Sequence, residues 1–229
     1  MSEPSSVTEQ ELLRWSEMLS ALARTGLAFT ESLYEQERFE EILAVAAEIQ
    51  AGSSLPIDPE VLVTEWTKTI GHGVPGYVTP KVTVGAIVGN EQGELLLMQR
   101  ADSGIWLYPT GWADVGYSAA EVAVKEVWEE TGIKSEVVDM LGVHDGMRLG
   151  FTRIPLYSVV FHLRAIGGDL KPHPLECTDV GWFAEGELPE PMYATERWAP
   201  RAFAAIRGES LPVEFDDVRT PPWEEPERG

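Results

Sequence analysis

The feature that most constrains this chain is a short helix that gathers three carboxylates on one side. In Gly111-Trp-Ala-Asp-Val-Gly-Tyr-Ser-Ala-Ala-Glu-Val-Ala-Val-Lys-Glu-Val-Trp-Glu-Glu-Thr-Gly132, Ser118 and Glu121 have capping-box spacing. Gly132 fits the position just past a helix end, so the pattern predicts a helix over Ala119 to Thr131. Within it Glu126, Glu129 and Glu130 are spaced i, i+3 and i+4 and project from one face, while Val122 and Val127 fall on other sides and can pack into a core. Glu121 has a structural task at the cap and can also pair with Lys125 one turn on. Like charges at this spacing cost only a few tenths of a kcal/mol per pair when exposed, so a solvated face is one reading. The sharper reading is a bound Mg²⁺ or Mn²⁺, because hard divalent cations choose oxygen ligands and keep places for water and a substrate phosphate.

Charge narrows what such a helix can serve. The 229 residues carry 17 basic and 38 acidic side chains, a net charge of −21. That surface repels nucleic acid and anionic lipid, which disfavours both as partners. A small anionic substrate is still admissible if a cation supplies the missing positive charge. Cys177 is the sole cysteine, so an internal disulfide and a cysteine-based zinc site are excluded, and a small, half-buried apolar role is expected for it. The first residues lack a basic leader and an apolar run, and no stretch approaches membrane-spanning length. The expectation is a soluble, cytoplasmic protein.

Along the chain the texture changes once. Leu12, Trp15, Leu19 and Leu22 recur at helical spacing, predicting a helix from about Thr8 to Ala28 with an apolar stripe. A second is predicted from Thr30, carrying Phe39, Ile42, Leu43, Ala46 and Ile49 on one face and ending at Gly52. Asp58-Pro59-Glu60 starts a third, with Asp58 as N-cap and proline at the first helical position. Three helices of this size make too small a core alone, so they are expected to pack on the following domain or on a second copy. After the turn-rich Gly71 to Gly76, strands are predicted at Lys81 to Val88, Gly93 to Gln99, Glu136 to Val143, Pro155 to Arg164 and Val180 to Ala184, with a further helix from Glu196 to Ile206. Strands with interspersed helices but no regular alternation point to an α/β or α+β domain with a mixed sheet. The chain from Leu211 onward is proline-rich and acidic and reads as a loosely attached tail.

The central stretch resembles a Nudix box, G-x5-E-x7-R-E-U-x-E-E-x-G-U with U apolar. Gly111, Glu126, Val127, Glu129, Glu130, Gly132 and Ile133 all fall in register. Five Gly and Glu matches at fixed spacing arise by chance at about 10⁻⁶ per position, which makes the signal strong. Two positions depart from the pattern, Tyr117 for the first glutamate and Lys125 for the arginine. The wording Gly-Trp-Ala-Asp-Val-Gly-Tyr-Ser is similar to a subgroup with a helical N-terminal segment, including CDP-choline and ADP-ribose pyrophosphatases, in which tyrosine and lysine are expected there. Gly76-Tyr-Val-Thr-Pro-Lys-Val82 fits the same subgroup, and the likeness covers about Glu9 to Arg207.

The resemblance implies an α/β/α sandwich with a mixed sheet, preceded by a small all-helical segment. It divides the chain into helices for packing or dimerisation at 1–71, a linker at 72–79, the Nudix domain at 80–210 and a tail at 211–229. It implies that Glu126, Glu129 and Glu130 hold Mg²⁺ or Mn²⁺ and carry the catalysis, with Gly111, Tyr117, Lys125 and Gly132 as scaffold of the box. Lys125 can orient a neighbouring glutamate as a point charge, without the fork of an arginine. Glu176 lies where a later loop supplies the general base in some members, with Asp179 nearby. Arg100, Trp106 and Tyr77 are candidate substrate contacts, although core packing suits Trp106 equally well.

The expected function is a metal-dependent pyrophosphohydrolase that cleaves a nucleoside diphosphate linked to another moiety, as in ADP-ribose or CDP-choline, and that forms a homodimer through its N-terminal helices. The competing expectation is a catalytically weak Nudix module that binds a nucleotide and regulates. Three residues favour it. Thr110 replaces a glycine in a turn that can need φ > 0, and Thr83 and Gly85 stand where the subgroup often has Asp and Arg. Action on capped or triphosphorylated RNA is disfavoured by the charge and the lack of a basic stripe.

Overall fold

The computed structural model describes residues 7–53, 57–68, 70, 78–114, 116–219 and 221. The predicted linker lies largely outside these, as do Tyr77 and the last residues of the tail. The chain divides into two compact units, Met1–Lys81 with Gly146–Pro155, and Val82–Asp145 with Leu156–Gly229.

The first unit holds α1 (Glu9–Phe29), α2 (Leu33–Gly52), α3 (Pro59–Lys68) and a short α5 (Gly146–Leu149). Thr8 and Glu11 cap α1 reciprocally, and Asp58 accepts the Glu60 N–H at the head of α3 at 2.9 Å. The second helix starts later than its pattern predicts. Thr30 closes α1 by donating its N–H to the Gly26 carbonyl, and Ser32 caps α2. The buried side of α1 also differs from the predicted stripe. Leu13, Ser16, Ser20, Ala23 and Arg24 face inward, whereas Trp15 is 38 % and Leu22 64 % exposed. Small residues win that face because they let the backbones of α1 and α2 approach, with the Ser16 hydroxyl donating to the Ala46 carbonyl at 2.7 Å. Ala23, Leu43, Ala46, Ala47 and Trp66 form the core of this unit. The segment Gly146–Pro155 is stitched to α1. Gln10 Nε2 donates to the Met147 and Arg148 carbonyls, and Arg153 pairs with Glu9 at 3.1 Å.

The second unit is a mixed sheet between helices. Its strands are β1 (Lys81–Gly89), β2 (Leu95–Arg100), β3 (Trp106–Leu107), β4 (Thr110–Trp112), β5 (Ile133–Asp145), β6 (Leu156–Gly168), β7 (Cys177–Phe183) and β8 (Glu214–Phe215). They run in the order β3-β2-β1-β6-β5-β8, with β4 on β1 and β7 on β2. β1 with β2 and β4, β2 with β3 and β7, and β5 with β6 are antiparallel, and β5 with β8 is parallel. The pleat sends alternate side chains to opposite faces. Val84, Ala86, Val88 and Leu96 pack against Val122, Ala123 and Val127 of α4 (Ala119–Thr131). Ile87, Leu95 and Leu97 pack against Ala202, Phe203 and Ala205 of α6 (Thr195–Ile206). Each fully buried Val or Leu in these two cores contributes about 1.5–3 kcal/mol. The short β3, β4 and β8 escape sequence patterning because two or three residues carry no period. The parallel β8 and a hydrogen bond from the Asp145 N–H to Asp216 Oδ2 at 2.6 Å attach the segment after Leu211 to the sheet.

Candidate functional site

Helix α4 has the caps its sequence demands. Ser118 and Glu121 form the reciprocal box, and Gly132 closes the helix in the left-handed region at φ 74°. Thr110 sits in β4 in extended conformation, and Ala194 is the sole positive-φ residue other than glycine among those described. The turn strain expected of Thr110 is therefore absent. Instead its backbone N–H donates to Glu130 Oε2 at 3.0 Å, which ties β4 to the carboxylate helix.

The three glutamates have unequal surroundings. Glu130 is buried at 4 % exposure. Its pKa is pushed up to about 8, mainly by burial, with the Thr110 N–H opposing and the charges of Glu126 and Glu176 adding to the rise. Glu126 is raised as well, again chiefly by burial, with Lys125 opposing and Glu129, Glu176 and Asp114 reinforcing. Its carboxylate lies so close over Gly111 that a Cβ there would stand 2.1 Å from Cδ and 2.3 Å from Oε1. The box glycine is thus the floor beneath a glutamate, an arrangement that only a residue without a side chain permits. Glu129 is exposed and accepts a hydrogen bond from Lys125 Nζ at 2.7 Å.

Lys125 does not pair with Glu121 as the helical spacing suggests. Its Nζ stands 3.2 Å from Asp114 Oδ2, 2.7 Å from Glu129 Oε2 and 3.8 Å from Glu126 Oε1, and these carboxylates hold it protonated well above the usual lysine range. Glu121 is occupied by the Ser118 N–H at 2.7 Å. Tyr117 is exposed, at 55 %.

Glu176 lies in the loop before β7. Its charge adds to the rise in the pKa of both Glu126 and Glu130. Backbone hydrogen bonds pin that loop. The Lys171 N–H donates to Thr131 at 2.8 Å, the His173 N–H to Glu130 at 3.1 Å and the Ala101 N–H to the Glu176 carbonyl at 2.8 Å. Asp179 lies farther along, in β7, opposite Gln99. Arg100, at the end of β2, forms a two-point pair with Asp102, Nε to Oδ1 at 2.9 Å and NH2 to Oδ2 at 2.6 Å, and its field also reaches Glu130. Trp106 lies in the core, edge-on to Phe183 with ring centroids 5.1 Å apart. Cys177 is buried behind the cluster. Its thiol pKa is pushed up to about 11 by burial and by Glu130.

Gly85 is explained by its neighbour. A Cβ there would come within 2.7 Å of Tyr108 Cε2, so the ring takes the space of a side chain at that strand position. Tyr108 in turn stands edge-on to Trp198 at 5.0 Å. Thr83 pairs with Trp112 across β1 and β4. Two participants were not legible beforehand. Asp114 carries no motif signal, and the Thr110 N–H is a backbone group whose aim only the fold sets.

Among the described residues, no three such side chains converge closely enough to hold a metal ion as they stand. The donor chemistry nonetheless suits a hard divalent cation. The donors are all carboxylate oxygens, and Glu126, Glu129 and Glu130 lie within one turn of α4. Glu129 would have to exchange Lys125 for the metal, a small cost for an exposed pair.

Comparison with known proteins agrees with this architecture. Residues 79–204 match the NUDIX domain family, and residues 10–58 match a family described as UDP-X-like, N-terminal oligomerisation domain. A putative ADP-ribose pyrophosphatase of Bacillus subtilis is 32% identical over 178 residues, covering 77% of this chain and 82% of that protein. Among solved structures, an ADP-ribose pyrophosphatase from Streptococcus suis is 31% identical with a TM-score of 0.53, over 60% of this chain and 100% of its own. A UDP-X diphosphatase is 26% identical with a TM-score of 0.54, over 92% of this chain and 100% of its own. With its sandwich, its glycine-floored carboxylate helix and these matches, the chain belongs to the Nudix hydrolase family.

Proposed function

We propose that this protein is a divalent-metal-dependent pyrophosphohydrolase that cleaves a nucleoside diphosphate linked to another moiety, releasing a nucleoside monophosphate and a phosphorylated product. The observation that carries this reading is the carboxylate helix itself, with Glu126, Glu129 and Glu130 on α4, Glu126 lying over Gly111 and Glu130 held by the Thr110 N–H. Glu126, Glu129 and Glu130 would hold Mg²⁺ or Mn²⁺. When bound, the metal screens the diphosphate, activates water and stabilises the leaving phosphate. Glu176 accepts the proton of the attacking water, from a loop whose backbone is pinned by hydrogen bonds. Arg100 meets a substrate phosphate after exchanging Asp102, which is an exposed partner and cheap to leave. ADP-ribose and CDP-choline are the first substrates to try, joined by a UDP-linked compound because the UDP-X diphosphatase spans most of the chain.

The test is incubation of such a panel with Mg²⁺ and analysis of the products. Nucleoside monophosphate release from at least one member, abolished by Glu129→Gln, is expected. Binding without turnover over hours would instead favour a regulatory nucleotide-binding module. Lys125 favours that second reading, since it already acts as an internal cation for Asp114, Glu129 and Glu126.

The helical unit acts as a homodimer surface. Trp15, Met18, Leu22 and Phe29 of α1 and Tyr34 and Val45 of α2 are exposed, and apolar residues gathered in this way ordinarily mark an interaction site. The N-terminal oligomerisation match points the same way.

A further inference from the structure

His173 lies outside every motif, yet its side chain is unsatisfied where the chemistry is expected. Its Nδ1 is buried and has no hydrogen-bond partner among the described residues. Glu176 Oε2 stands 3.7 Å from it, slightly too far for a hydrogen bond. The backbone around the pair is held firmly. The His173 N–H donates to the Glu130 carbonyl at 3.1 Å, and the His173 carbonyl accepts from Cys177 at 3.0 Å. Glu176 is anchored to Ala101 through its own carbonyl. The two side chains project from one turn, at i and i+3, with both ends of that turn fixed. A small rotation of either side chain closes the gap, and a buried polar atom without a partner favours that rotation.

We propose that His173 is a positioning residue for Glu176, its Nδ1–H donating to the carboxylate and holding it toward Glu126 and Glu130. The inference rests on the reading of Glu176 as the general base. It needs no change in the charge of the imidazole, because the neutral ring donates from Nδ1 when its proton sits there. Without this bond Glu176, which is 60 % exposed, has rotamers pointing to solvent, away from two carboxylates that repel it. Residues that orient a reacting group through a hydrogen bond commonly contribute about 10–100-fold.

The experiment compares His173→Asn with His173→Leu, because the asparagine amide places an N–H near the position of Nδ1 and leucine fills similar volume without one. With the panel compound that is turned over, His173→Leu lowers kcat by about 10–100-fold at a KM within about twofold, and His173→Asn recovers most of the loss. In a Glu176→Gln background, His173→Leu adds nothing further, since both act through one group. Equal impairment of the two His173 variants, or full additivity with Glu176→Gln, overturns the proposal. If Glu176→Gln itself leaves kcat unchanged, the base assignment falls instead. A readout apart from turnover separates the two. Nitrogen-15 NMR of the imidazole in the metal-free protein should find the proton on Nδ1, and moved to Nε2 in Glu176→Leu. A proton on Nε2 in both proteins overturns the pairing whatever the activity.

Discussion

Replacing Gly111 by alanine tests whether the box glycine serves the carboxylate or the backbone. The added methyl would lie 2.1 Å from Glu126 Cδ, with the two oxygens at 2.3 and 2.5 Å. Ordinary contact begins near 3.4 Å, so the carboxylate must retreat by about 1 Å or more. The obstacle is the far end of a flexible side chain, and Gly111 has no positive φ, so the backbone pays little. Alanine should leave stability unchanged or raise it by about 0.4–1 kcal/mol through the unfolded chain. Metal bonds tolerate only about 0.2 Å, so Mn²⁺ binding should weaken by about 10–100-fold, and a misplacement of about 1 Å should lower kcat by about 100-fold. Calorimetric titration with Mn²⁺, thermal unfolding and turnover measure the three quantities on one preparation. Gly85→Ala is the contrast. Its methyl would meet the packed Tyr108 ring at 2.7 Å, so it should destabilise by about 1–3 kcal/mol while leaving Mn²⁺ affinity within about twofold. Gly111→Ala with unaltered metal affinity and turnover would refute the view that Glu126 is held at its working position by the absence of a side chain beneath it.

Lys125→Met removes the internal cation beside Glu129 and Asp114 and should tighten Mn²⁺ binding about fivefold, or about 1 kcal/mol; weaker binding would mean that the lysine orients the ligands instead of competing with the metal. Leu22→Glu on the exposed face of α1 should shift the sedimenting species from dimer to monomer, whereas a wild-type monomer at micromolar concentration would remove the basis for that face. Glu17 has its pKa raised from 4.5 to about 7, chiefly by burial, with Arg24 opposing. The folded state therefore binds the proton more tightly than the unfolded chain, and stability present below pH 4.5 is lost as pH rises towards 7. Urea unfolding should find Glu17→Gln gaining on wild type by about 1–3 kcal/mol between pH 4 and pH 8, and an equal gap at both values would contradict the burial argument.

Much of this protein could be read from local order. The capping box at Ser118, the left-handed Gly132 and the i, i+3, i+4 glutamates are short-range facts, and a helix with those caps forms much the same way wherever it is packed. The five longer strands of the sheet followed from their apolar pattern, since a pleat turns every second side chain towards one of two cores. Tertiary structure decided what the charges meet. Helical spacing offered Lys125 to Glu121, but β4 brings Asp114 beside the helix and the lysine turns to the larger negative field there. Thr110 promised strain when read as a turn and is extended because it pairs with Gly85 across β1. The stripe on α1 misled because apolar side chains can equally serve an outer face, whereas Ser16, Ser20 and Ala23 alone allow α1 and α2 to close together. The sequence by itself determined which helix bears the carboxylates and where it begins and ends. The fold alone determined that Glu130 is buried, that Glu126 lies over Gly111 and that Glu176 and His173 arrive from a distant loop, because burial and electrostatic fields arise from groups far apart in the chain.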